Sequence, residues 1–424
     1  MIPRDYQEEL SDKGLEILRK HALVYLSWEE RTGKTLTAIL IAEKALVTNI
    51  LVITKKKALD GWHNTLDNYK HTKKYTVTTY GSAHKIHADF DLVILDEAHN
   101  YISGYPKRTP TWCNIRKKTK RKPLIYISAT PHAQGYQLLY NQFALSDWSP
   151  WNNYSDFYSW FRTYGIPRQI RIGSRDVNQY DKVKEPLIKA CIDHLFISKT
   201  RKSLDFKHEP KDIVHYIELN EETKALYNKV LKDKVLSIGN AKLLADTTIK
   251  LRSTLHMIEG GTIKTVANDC SEVNSVQDAK LVKRVKEKVA DMHLCHLYYT
   301  LSNCEKIDCI FENWGDSEDV AIMYNYIAEE YKLKEYFKNA VILQATSNAE
   351  GVELSHIRHL VVYSQDFSTA RHTQRRARQA SKDREHPIDV HFLLTKNGIS
   401  DQIYETVSVN KRNYVDSVFE RKYL

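Results

Sequence analysis

Four residues near the start of the chain carry groups suited to phosphoryl chemistry: Lys34, Thr35, Asp96 and Glu97. The first two close the run Trp28-Glu29-Glu30-Arg31-Thr32-Gly33-Lys34-Thr35, which follows the apolar Leu23-Val24-Tyr25-Leu26 and opens a helical pattern. A strand that feeds a Gly-Lys-Thr turn and then a helix points backbone N–H groups at phosphate oxygens. The lysine ammonium neutralises charge on the β- and γ-phosphates, and the threonine hydroxyl reaches magnesium. Arg31, Thr32 and Gly33 belong to the same expected ATP-binding loop. A bare GKT tripeptide recurs by chance, and Trp28 stands where such a loop usually has its first glycine. The weight comes from Leu92-Val93-Ile94-Leu95, which runs directly into Asp96-Glu97-Ala98-His99. An acid pair at a strand end is where a magnesium-holding carboxylate belongs. Asp96 is expected to hold the ion through water, and Glu97 to orient and activate the attacking water.

Such groups need rigid strands behind them. Asn49-Ile50-Leu51-Val52-Ile53, Leu92 to Leu95 and Leu124-Ile125-Tyr126-Ile127 are short, rich in branched residues and bounded by polar ones, as strands buried on both faces are. Helical patterns over Thr35 to Val47 and Ala58 to Tyr69 lie between them, so the first part reads as repeated βα units of a parallel sheet. From about 134 to 190 aromatic residues crowd in (Trp148, Trp151, Tyr154, Phe157, Tyr158, Trp160, Phe161, Tyr164), and this stretch reads as an inserted, mostly helical element. A second helical insertion is expected over about 221–291, from Glu221 to Asp233 and again from Ala279 to Asp291. Strands resume at Val320 to Tyr324, Ala340 to Leu343 and His359 to Tyr363, which implies a second α/β lobe.

The 424 residues allow two to three domains. Lys and Arg number 63 against 53 Asp and Glu, and the resulting +10 suits a phosphate-rich polymer as partner. Six cysteines without CxxC pairs argue against a disulfide framework and suit a reducing compartment, the cytoplasm by default. The His293, Cys295, His296, Cys304, Cys309 group fits no compact zinc spacing. The polar N-terminus has no apolar signal region, and no apolar run reaches membrane-spanning length.

Gln7 in Arg4-Asp5-Tyr6-Gln7, then GKT, DEAH and Ser128-Ala129-Thr130-Pro131 follow one another in the order used by superfamily 2 helicases, and the sequence resembles their Snf-type branch most. The acid pair Glu29-Glu30 resembles that branch's glycine-poor loop. Ile50 to Trp62, Thr78-Thr79-Tyr80 and Phe196 to Arg201 resemble its further motifs, so the resemblance spans most of the chain. It implies an α/β fold of two RecA-like parallel-sheet lobes, a P-loop NTPase with helical insertions. The lobes are expected at 1–210 and 211–424.

The same resemblance places Arg4 and Gln7 beside the adenine and makes Ser128 and Thr130 the residues coupling hydrolysis to movement. It sets Gly351, in Gln344 to Leu354, near the nucleotide. Gln374-Arg375-Arg376-Ala377-Arg378 resembles the arginine-finger motif, with Arg378 expected to stabilise transition-state charge and Arg375 the alternative register. Nucleic-acid contacts are expected at Lys55, Thr79 and Thr346. The basic run Lys117 to Lys122 is either a further phosphate contact or a solvated face. ATP and magnesium are the implied cofactors, and duplex or branched DNA the implied partner. A protein partner remains open, and no membrane is implied. The compact layout resembles stand-alone, phage-encoded DNA helicases. The alternatives are a branch-migrating or strand-separating helicase, the motor subunit of a restriction or remodelling assembly, and a non-catalytic nucleic-acid-binding module.

Overall fold

The computed structural model describes residues 1–132, 135–172, 175–238, 241–267, 279–289, 292–345, 354, 356–377, 380–382 and 384–423. The chain divides into two compact units, Met1–Lys207 and His208–Leu424.

In the first unit, α1 (Asp5–His21) leads into β1 (Leu23–Trp28), α2 (Lys34–Lys44), β2 (Asn49–Thr54), α3 (Leu59–Asn68), β3 (Lys74–Thr79) and β4 (Leu92–Asp96). The short α4 (His99–Ile102) and α5 (Pro110–Thr119) precede β5 (Leu124–Ser128). Then come α6 (Leu138–Phe143), α7 (Phe157–Tyr164), the antiparallel pair β6 (Arg168–Ile172) and β7 (Arg175–Gln179), α8 (Glu185–Ile192) and β8 (Phe196–Lys199). Six strands form one parallel sheet in the order β3-β2-β4-β5-β1-β8.

Strand alternation divides the core of this unit in two. Leu23, Tyr25, Leu51, Ile53, Val93, Leu95, Leu124 and Tyr126 point to one face, and Val24, Leu26, Ile50, Val52, Leu92, Ile94, Ile125 and Ile127 to the other. Each face buries its own cluster, which is why these strands are apolar without a break. The aromatic insertion is core on the first face: Trp151, Phe157, Trp160 and Phe161 are buried there, whereas Trp148 and Tyr158 are exposed. It is not purely helical, since β6 and β7 pair within it.

The second unit carries β9 (Pro210–Ile217), α9 (Glu221–Asp233), β10 (Val235–Ile238), β11 (Ala241–Leu244), α10 (Thr248–Glu259), β12 (Thr262–Ala267), β13 (Ala279–Val289) and β14 (Met292–Leu301). It continues through α11 (Glu305–Asn313), β15 (Val320–Tyr324), α12 (Ile327–Tyr336), β16 (Val341–Gln344), β17 (His359–Val362), α13 (Thr369–Arg376), β18 (Ile388–Thr395), α14 (Ile399–Tyr404) and α15 (Asp416–Tyr423). A parallel sheet runs β16-β15-β17-β18-β9. Both units thus have the parallel-sheet architecture of RecA-like lobes.

The insertion into the second lobe departs from the expected helices. Residues 279–289 are a strand, β13, in an antiparallel sheet of order β10-β11-β12-β14-β13. Val282, Val285 and Val289 recur at near-helical spacing, but β-branched residues suit a pleated surface, and pairing with the tyrosine- and leucine-bearing β14 overrides the local pattern. Helices do stand at 221–233 and 248–259. Buried charges fasten this insertion to the lobe. Glu259 accepts hydrogen bonds from the Ile399 and Ser400 backbone N–H groups at 2.6 and 3.0 Å, and Lys332 Nζ donates to the Leu301 carbonyl at 3.0 Å. Cys295 is disulfide-bonded, which the spacing of the cysteines did not suggest.

Candidate functional site

The order β4-β5-β1 sets three carboxyl-terminal strand ends side by side. Ser27 is level with Ser128, and Asp96 with Ile127. The GKT loop, the DEAH acids and the SATP turn therefore share one edge of the sheet, where ligands of open α/β sheets bind.

The loop after β1 is held by the chain before it. Gln7 is buried; its Nε2 donates to the Gly33 carbonyl at 3.0 Å while its Oε1 accepts the Arg4 backbone N–H at 3.0 Å. Tyr6 donates its hydroxyl to the Thr32 carbonyl at 3.0 Å, and the buried Thr32 hydroxyl donates to the Glu29 carbonyl at 2.6 Å. Gly33 caps α2 with φ +83°, and a Cβ there would come within 2.4 Å of Gln7 Nε2. Both facts restrict the position to glycine. Arg31 takes φ +64°, a turn that non-glycine residues seldom adopt. Lys34 Nζ donates to the Trp28 and Glu29 carbonyls at 2.7 and 2.6 Å. Burial pushes its ammonium below the ordinary lysine value, against the attraction of Glu30, Glu97 and Asp96. Thr35 follows, half-buried in the first turn of α2.

Asp96 ends β4 with its carboxylate anchored on one side. Its Oδ2 accepts from Thr54 Oγ1 at 2.7 Å and from Trp62 Nε1 at 3.0 Å, and its backbone carbonyl accepts the Tyr80 hydroxyl at 2.9 Å. Its Oδ1 takes no hydrogen bond from the described residues, and a carboxylate oxygen is a hard ligand of the kind magnesium prefers. Glu97 turns sharply at φ +52°. Burial and the neighbouring Asp96 charge push its carboxyl up to about 7, against Lys55 and Lys34.

His99 joins the two motifs. Its Nδ1 lies 2.9 Å from Ser128 Oγ and its Nε2 lies 3.4 Å from Thr130 Oγ1, while Ser128 Oγ also donates to Glu97 Oε2 at 3.4 Å. The Thr130 backbone N–H donates to Ser128 Oγ at 3.0 Å. Burial, then the Lys55 charge, push the His99 imidazole down to about 4, so it is neutral at physiological pH.

Residues 63–133 match the family model described as type III restriction enzyme, res subunit. The matched segment takes in DEAH and SATP and begins after the GKT loop. It is of the superfamily 2 helicase type, which points to a helicase-like, ATP-dependent nucleic-acid motor, and segments of this type typically use ATP and magnesium. No curated protein matches the chain. Among the described residues, no helix is long and apolar enough to cross a membrane.

The first lobe thus brings together Arg4, Gln7, Arg31, Thr32, Gly33, Lys34, Thr35, Asp96, Glu97, Ser128 and Thr130. Lys55, expected on nucleic acid, joins them electrostatically, since its charge acts on both Glu97 and His99. Thr79 stands apart at the end of the edge strand β3, with its hydroxyl accepting the Ser82 N–H at 3.2 Å. Much of the 117–122 basic run is spent on the chain itself: Lys118 donates to the Ile86 carbonyl, Arg121 pairs with Asp147 and Lys122 with Asp89. In the second lobe Arg375 is buried, bonded to Asp366 at 2.9 Å and to the Ala345 carbonyl at 3.2 Å. Arg378, Gly351 and Thr346 lie outside the described residues.

Five further residues complete the site without having been singled out: Thr54, Trp62, Tyr80, His99 and Arg201. All lie inside runs that resemble family motifs, but their partners are distant in sequence. Arg201 bonds the loop's acid pair, its backbone N–H donating to Glu29 Oε2 at 2.7 Å and its guanidinium standing 3.7 Å from Glu29 and 4.0 Å from Glu30.

Proposed function

We propose that the chain is an ATP-driven DNA translocase or helicase of the Snf-type branch of superfamily 2, acting on duplex or branched DNA. The observation that carries this reading is the junction of Glu97, Ser128 and His99, because it ties the residue proposed to activate water to the turn proposed to transmit movement. Lys34 and the N–H groups opening α2 bind the β- and γ-phosphates, and Arg4 and Gln7 flank the base. Thr35 and Asp96 are the residues that would hold magnesium, which would supply charge neutralisation on the phosphates. Glu97 accepts a proton from water as that water attacks the γ-phosphorus and the bond to ADP breaks. Arg378, or Arg375 in the other register, stabilises charge on the transferring group; Arg375 would first have to leave Asp366. Ser128 and Thr130 carry the change to nucleic-acid contacts, for which Lys55, Thr79 and Thr346 are the candidates.

Turnover measured with single-stranded, duplex and forked DNA and with RNA tests the reading. Stimulation should be strongest with duplex or forked DNA, and strongest stimulation by RNA removes the DNA assignment. Lys34→Ala should lose on the order of 100-fold or more, and Glu97→Gln a similar factor. The family match favours one second reading, the motor subunit of a restriction assembly. A DNA-stimulated activity that appears only with a co-purifying subunit would support it.

A further inference from the structure

The antiparallel sheet inserted in the second lobe has two unlike faces. Ile263, Thr265, Leu297 and Tyr299 are buried on the inner one. On the outer face Lys264 of β12, Tyr298 of β14 and Lys283 of β13 stand opposite one another in a single row, all only half-buried. Lys264 Nζ lies 5.6 Å from the centre of the Tyr298 ring, and Lys283 Nζ lies 6.0 Å from that of Tyr331 on α12. Neither ammonium has a carboxylate within ion-pair distance among the described residues; the nearby Glu287 is held by His296 at 2.5 Å. Beside the row runs a groove of about 320 Å³, whose lining includes Ile249, Met257, Val266 and Leu294 together with Lys264 and His296. On the same face Lys280 of β13, level with Thr300, is paired with Glu335 at 2.9 Å, so the positive charge open to a ligand along the row is that of Lys264 and Lys283.

We propose that this outer sheet face is a separate nucleic-acid site that binds a single strand, with a base stacked on Tyr298 and backbone phosphates on Lys264 and Lys283. An aromatic platform between cations, next to an apolar slot, is what an unpaired strand needs: every base offers a π-face, and every linkage offers a negative charge. A duplex hides its base faces and could use only the charge. Lysines on an edge strand also discourage edge-to-edge pairing, but Lys264 and Tyr298 lie on interior strands, where that purpose has no meaning. The site rests on the reading of the chain as a nucleic-acid motor, and it gives that motor a hold on the separated strand.

The test is fluorescence anisotropy of a labelled 20-nucleotide oligo-dT and of a 20-bp duplex with the full chain, without nucleotide, across a salt series. Combined Lys264→Ala and Lys283→Ala should weaken oligo-dT binding about tenfold and make the salt slope shallower by ~1.4, two single-strand phosphate contacts. Tyr298→Ala should weaken it by roughly five- to tenfold, Tyr298→Phe should bind like the parent, and the duplex should change less than the single strand in each case. Turnover without nucleic acid should stay at the parent rate in all of them. Unchanged oligo-dT affinity and slope overturn the proposal, as do equal losses on duplex. Polyglutamate binding lost in these variants while oligo-dT binding is kept assigns the face to an acidic protein instead. Because no ATP is added, failure of the hydrolysis reading shows in Lys34→Ala turnover, and failure of this one shows here.

Discussion

The Nδ1 of His99 lies 2.9 Å from the Ser128 hydroxyl, and that bond links the acid motif closing β4 to the turn closing β5. The same hydroxyl donates to Glu97. A change in what Glu97 binds therefore alters the donors and acceptors left for Ser128, and the SATP backbone must respond. Ser128→Ala should keep turnover without nucleic acid within a few-fold of the parent and reduce its stimulation by DNA about tenfold. Paired turnover assays with and without forked DNA measure the ratio, and an unchanged ratio removes Ser128 from the coupling role.

The anchors of Asp96 make a second prediction. Thr54 and Trp62 fix one carboxylate oxygen and so decide where the other points. Trp62→Phe keeps the ring and removes the donor. The half-saturating magnesium concentration for turnover should rise about tenfold, as it does when a partner behind a metal ligand is lost, with a smaller change in the rate at saturating magnesium.

Arg201 predicts an effect on stability. Its guanidinium and backbone N–H meet the Glu29-Glu30 pair at the entrance of the GKT loop. Arg201→Ala should cost about 2 kcal/mol, below the full cost of breaking a buried pair because Glu29 is partly solvated. Arg201→Lys should recover only part of this, since an ammonium cannot span two carboxylates as a planar guanidinium does. Denaturant titration of both variants gives the comparison.

Three histidines in the second lobe set a pH dependence. His391 of β18 lies between His215 of β9 and His359 of β17, with ring nitrogens 3.1 and 3.2 Å apart, and Trp314 packs over it. Burial, then the two neighbouring rings, push the His391 imidazole down to about 4. Its folded value is thus below the unfolded value near 6.5. Between those limits the unfolded chain binds the proton more readily, so the stabilisation is complete above ~6.5 and is lost as pH falls towards about 4. The loss should be on the order of 2–3 kcal/mol for the parent, and His391→Gln should flatten the melting-temperature profile across that window. A parallel profile in the variant contradicts the assignment.

The sequence by itself determined the GKT loop, the DEAH acids, the SATP turn and the alternation that makes the first sheet parallel. These are contiguous runs, and their chemistry depends on residue types at short spacing, so it is readable one segment at a time. Gly33 shows the limit of that reading: the motif asks for glycine, but only the fold reveals that Gln7 fills the space a side chain would need. Tertiary structure alone decided that Thr54 and Trp62 hold Asp96, that Arg201 reaches Glu29 across 172 positions, and that Glu97 is pushed up while His99 is pushed down. Those outcomes depend on which strand ends become neighbours and on how much water is excluded around them. The stretch at 279–289 follows the same logic, because a valine-rich segment with near-helical spacing becomes a strand once β14 offers it a partner. Long-range pairing and desolvation are properties of the assembled sheet, and no single segment carries them.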